Sequence, residues 1–169
     1  MIIELEGLVF DKDNRRYILD RDYYTKISAV VLEDILTADN STNIDAVVTA
    51  YLNRASQLVY DYIYSFTDHP EIREWELCHI NKYVRLIREC LVEQVNYMVL
   101  NGLDTSILNG IVTLNTQRQV PYIEQSRLEE SSIPVSIKRK VKNAGLNVKW
   151  GSEKFDYKLL EEFERELEA

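Results

Sequence analysis

Between residues 44 and 66, apolar side chains return every three or four positions: Ile44, Val47, Val48, Tyr51, Leu52, Ala55, Leu58, Val59, Tyr62, Ile63 and Phe66. A repeat near 3.6 keeps all of them on one side of a helix, whereas a strand would send alternate residues to solvent. The run therefore predicts a long helix over 44–66 that must bury its stripe against something. Asp39-Asn40-Ser41-Thr42-Asn43 ahead of it reads as a loop ending in a helix N-cap, because these side chains accept from free backbone N–H groups. Thr67-Asp68-His69-Pro70 ends it, since Pro70 steers His69 out of the α region and suits the first turn of another helix.

That next helix is expected from Glu71 to Asn101, with a possible kink, on the stripe Ile80, Tyr83, Val84, Ile87, Leu91, Val95, Met98 and Val99. Gly102 is a natural C′ residue. At ~1.5 Å per residue such a helix would be roughly 45 Å long, more than a compact domain of this size requires. The short 67–70 connection predicts that the two helices pack antiparallel as a core pair.

The flanks differ. Leu8-Val9-Phe10 and Arg16-Tyr17-Ile18-Leu19 surround the turn formers Asp11-Lys12-Asp13-Asn14, which predicts a short hairpin. A first helix is expected over about 25–38. Residues 103–132, with Asn109-Gly110 among β-branched neighbours, read as loop or irregular strand. A short helix over Pro134–Asn143 is stopped by Gly145, and residues 152–155 read as a joint before an amphipathic tail helix over 156–168. The fold class is mainly α: a helical bundle with a long antiparallel pair, a short β-hairpin and a C-terminal amphipathic helix. Its divisions are 1–40 (extended segment and first helix), 41–150 (helical core) and 151–169 (acidic tail).

Composition narrows the function. At 46% hydrophobic residues, the 169-residue chain can build a core, and with 5 Gly and 3 Pro it is ill suited to a turn-rich β architecture. The start, Met1-Ile-Ile-Glu-Leu-Glu, lacks a basic n-region and an apolar h-region, and no run reaches the ~18 apolar residues of a membrane helix. A cytoplasmic site of synthesis and no membrane partner are expected. Cys78 and Cys90 lie about 18 Å apart along a continuous helix, too far for a disulfide, and read as small buried apolar groups. A net charge of −8 argues against a general nucleic-acid coat.

No phosphate loop and no C-x-x-C pair is present. His69 and His79 are the two histidines, and Cys78 beside His79 on a helix would point about 100° away from it, so the pair reads as a core cysteine next to a surface histidine. Catalytic residues, cofactor and metal are all expected to be absent. Among 11 tyrosines, a core with hydroxyls reaching the surface is one reading and subunit interfaces another. Tyr60 and Tyr64, one turn apart and off the main stripe, are the interface candidates. Lys138, Arg139, Lys140, Lys142 and Lys149 form a basic run that can be a solvated face, a mate for an acidic neighbour or a phosphate contact. Residues 153–169 carry seven acids against three bases, with Leu159, Leu160, Phe163 and Leu167 on one side. This tail is expected to dock on a neighbouring chain, with the basic run as its electrostatic mate, and to be mobile in a monomer.

The helix Ala46–Tyr64, the segment Arg88-Glu-Cys-Leu-Val-Glu-Gln-Val-Asn-Tyr97 with Asn101-Gly102, and the late Ile137-Lys-Arg-Lys-Val-Lys-Asn-Ala-Gly-Leu146 come in an order that resembles the head–tail connector proteins (adaptor or head-completion proteins) of tailed bacteriophages. The likeness covers about residues 40–150; the extended N-terminal segment and the acidic tail are less typical of that family. The resemblance implies a virion protein of the head–tail junction that forms a homo-oligomeric ring, often dodecameric, bound to the portal protein and to a tail or stopper protein. DNA passes through such a ring without sequence-specific binding, and the family has no catalytic residues to carry over. A small helical regulatory or adaptor protein that binds another protein is the alternative reading, and a metal-dependent nuclease a more remote one.

Overall fold

A computed structural model describes residues 1–28, 44–101, 133–147 and 157–169. Its described part is mainly helical with one two-stranded antiparallel hairpin, as the sequence predicts. Strands β1 (Leu8–Asp11) and β2 (Arg16–Leu19) pair in the register Leu8↔Leu19 through Asp11↔Arg16. Asp11 organises the turn: its carboxylate accepts from the Asp13 amide at 3.0 Å and from the Asn14 side-chain amide at 2.7 Å. Gly7 ahead of β1 has φ +92°, and a Cβ there would lie 2.6 Å from the Tyr23 ring, so both conformation and space demand glycine.

Helix α1 spans Arg21–Ile27, capped by Asp20, whose carboxylate accepts from the Tyr23 amide at 3.2 Å. It starts earlier than the sequence predicted and reaches its C-cap at Ser28. The remainder of the expected 25–38 helix lies outside the described residues, as do the 39–43 N-cap, the 103–132 segment and the 152–155 joint.

Helix α2 spans Ile44–Tyr64. The expected second helix is in fact two, α3 (Pro70–His79) and α4 (Asn81–Asn101), broken at Ile80 with φ −91° and ψ 111°. Nothing local in Cys78-His79-Ile80-Asn81 forces a break. The cause is tertiary: the Cys78 carbonyl, which a continuous helix would bond internally, accepts from the Ile3 amide at 3.3 Å and faces the Tyr17 hydroxyl at 3.3 Å. The two long helices α2 and α4 do pack together, but they are joined through α3 rather than by a tight turn.

The core draws on all parts of the described chain. Val48, Leu52, Ala55, Val59 and Ile63 of α2 meet Val84, Ile87, Leu91, Val95 and Met98 of α4, with Tyr17, Leu19 and Tyr24 from the N-terminal region. Helix α5 (Val135–Asn143) packs on α4 through Ile137 and Val141, and helix α6 (Tyr157–Glu168) packs on α3.

Leu52 is 4% exposed in this core. Leu52→Asp would bury a charge without a partner and cost about 4 kcal/mol, a large part of the ~5–15 kcal/mol that holds a domain of this size together. The cooperative thermal unfolding transition, followed by circular dichroism, is expected to disappear or to fall below working temperature.

Candidate functional site

Helix α5 stops in a way its sequence explains. Gly145 takes φ +77°; its amide donates to the Lys142 carbonyl at 3.0 Å, and the Leu146 amide donates to the Val141 carbonyl at 3.1 Å. This is the Schellman arrangement, in which a left-handed residue turns the chain back over the helix end. It drives Leu146 into the core, fully buried beside Ile137 and Val141.

The opposite side of α5 is polar. Val135, Lys138, Arg139 and Lys142 stand at positions i, i+3, i+4 and i+7, one stripe facing away from α4. Val135 is 67% exposed at the head of this stripe. Lys140 is set apart from the others: its ammonium reaches the Glu93 carboxylate at 2.9 Å and Glu89 at 3.8 Å, both on α4. Within the chain the mate of Lys140 is thus α4, not the acidic tail. Among the described residues no ion pair engages Lys138, Arg139 or Lys142.

The tail helix is docked within its own chain, against the expectation of a tail mobile until a neighbour arrives. Phe163 is 1% exposed, its ring edge-on to the His79 ring at 5.1 Å between centroids. Leu160 and Leu167 are partly buried beside it, and Leu159 stays at the rim, 36% exposed. Glu166 adds polar contacts, to the Met1 amine and to the His79 Nε2 at 3.4 Å.

His79 is correspondingly not a surface residue. Its ring stacks on Trp75 at 4.8 Å, and its Nδ1 lies 3.0 Å from the Trp75 carbonyl, so Nδ1 carries the proton and donates. Trp75, His79 and Phe163 form the seat of α6, a contact that the adjacent Cys78-His79 pair did not foretell. One signal was available: Trp75 and His79 are four residues apart on one helix.

Tyr60 is corrected from interface candidate to core residue. It is 1% exposed, and its hydroxyl oxygen accepts from the Tyr17 amide at 3.1 Å. Helix α2 buries two faces, one against α4 and one against β2, so a residue off the main stripe is covered by the hairpin. Tyr64 is partly buried against the same core, its ring 5.8 Å from that of Tyr60, and burial raises the pKa of both hydroxyls.

Cys78 and Cys90 are free, buried and on different helices. Burial pushes the Cys78 thiol up, and pushes that of Cys90 up to about 12. Neither has the depressed pKa of a nucleophile. Among the described residues, no group of three or more His, Cys, Asp or Glu could hold a metal ion, and no helix is long and apolar enough to cross a membrane.

Two measurements check this arrangement. Phe163→Ala removes the anchor of a 12-residue helix that is marginal alone. Backbone amides of α6 are expected to lose their hydrogen-exchange protection while those of α4 keep theirs; equal loss in both would contradict separate docking of the tail. Thiol titration with a disulfide reagent is expected to find neither cysteine in the native protein and both in denaturant. Compared with known proteins, the chain matches no family model, no curated protein and no solved structure.

Proposed function

We propose that this protein is a subunit of the head–tail connector of a tailed bacteriophage, a structural protein that forms a ring between portal and tail. Its partners in this reading are further copies of itself, the portal protein and a tail or stopper protein. The ring gives DNA a passage and the tail a docking surface, and it acts as scaffold rather than catalyst.

One observation carries the reading. The segments in which the sequence resembles connector proteins touch one another in the fold: α2 against α4, and α5 with its Ala144-Gly145-Leu146 ending against α4. A likeness scattered over unrelated surface segments would have no such physical unity. The Ala-Gly-Leu ending also has a mechanical purpose here, since it seats Leu146 beside Val141 and fixes which side of α5 faces outward. The charge of −8 agrees with a passage through which DNA slides, because an acidic surface does not hold phosphates.

Negative-stain images and native mass spectrometry of the purified full chain, alone and with the portal protein, test the proposal. Closed rings are expected, with gold-labelled antibody against the chain decorating the neck of virions. A chain that stays monomeric in both conditions, and labelling that misses the neck, would rule it out in favour of a small regulatory protein.

A further inference from the structure

Two outward helix faces are opposites of each other. On α5, Val135 leads Lys138, Arg139 and Lys142 along one stripe. On α6, Tyr157 leads Glu161, Glu164 and Glu168, at i, i+4, i+7 and i+11, on the side turned away from Phe163. Tyr157 is 54% exposed and Val135 67%, so each stripe has an apolar head; on α5 three bases follow it, and on α6 three acids, which share the outward side with Lys158 and with Arg165, 3.9 Å from Glu161. Taken whole, α5 carries four bases and no acid, and α6 carries five acids and two bases.

Within one copy these faces are held on different supports, α5 on α4 and α6 on α3. Each points away from its support. We infer that the α5 stripe of one copy docks on the α6 stripe of the next, so that copies join head to tail. The inference rests on the ring reading for closure, but the contact itself comes from the two surfaces. A pairing of two different patches is heterologous, and heterologous contacts produce rings when the rotation between copies closes.

A phosphate backbone suits the α5 stripe less well than an acidic helix does. The exposed Val135 calls for an apolar contact that phosphates lack. The acidic stripe with its tyrosine supplies both charge and apolar surface. A contact between two short helices is small and led by exposed charges, so assembly is expected to weaken with rising salt and to need several copies.

The test is an exchange of charges in the full chain. One variant carries Lys138→Glu, Arg139→Glu and Lys142→Glu; the other carries Glu161→Lys, Glu164→Lys and Glu168→Lys. All six side chains are exposed or partly so, and circular dichroism verifies that both variants fold. Oligomer size is then measured by light scattering at low salt. The wild type is expected to assemble, and each variant alone to need at least about tenfold more protein, because like charges now face each other. An equal mixture of the two variants is expected to assemble again, in alternation, since every contact then joins opposite charges. If the wild type assembles and the variants do so equally well, or if the mixture fails to recover, this contact is wrong while the ring reading stands. If the wild type does not assemble at any concentration, alone or with portal, both fall.

Discussion

Tyr17 is the residue on which the arrangement of the other elements depends. Its amide and carbonyl point away from β1, on the open edge of the hairpin, where a buried strand would be left with unmet hydrogen bonds. Two side chains of α2 meet them: the Tyr60 hydroxyl accepts from the amide, and the Ser56 hydroxyl donates to the carbonyl at 2.7 Å. The Tyr17 hydroxyl in turn donates to the Ile3 carbonyl at 2.8 Å and faces the freed Cys78 carbonyl. One residue thereby holds the hairpin to α2, the N-terminal segment to the hairpin, and the end of α3 to both. Hydrogen bonds between neutral groups contribute only about 1 kcal/mol each, but leaving these groups buried and unmet would cost more, which is why the set acts as a unit.

What could be read from the residues, and what could not, divides along the same line. The α2 stripe was legible because a 3.6-residue period needs no knowledge of the partner, and so was the hairpin, because Asp11 and Asn14 shape the turn locally. The Asp20 cap of α1 was also legible in principle, but the apolar pattern further on placed the expected start of the helix near residue 25, several residues too late. The break at Ile80 was not, since its cause arrives from Ile3 and Tyr17, over sixty residues away in the case of Tyr17 and Cys78. Tyr60 was misread for a related reason: periodicity reveals one buried face of a helix and is blind to a second one made by another element.

The candidate surfaces show the same limit. The apolar side of the tail helix was correctly identified as needing cover, with Phe163 at its centre, but amphipathicity does not say which surface covers it. Trp75 and His79 of the same chain do so. Likewise the clustering of bases on α5 was plain in the sequence, yet the division of labour among them was not. Lys140 is spent on Glu93, and the three outward charges are left to define a face.

The tie between Tyr17 and distant helices also bears on how the chain is made. A lone two-stranded hairpin is at best marginally stable in water. Its supports here, Ser56, Tyr60 and the Cys78 carbonyl, are 39, 43 and 61 residues further along. Synthesis runs from the N-terminus, so the hairpin leaves the ribosome well before anything it can rest on. The hairpin therefore gains its first supports only when α2 has emerged and the last only when α3 has, while helices, whose contacts are local, form quickly. The strands made first are thus held by groups made later.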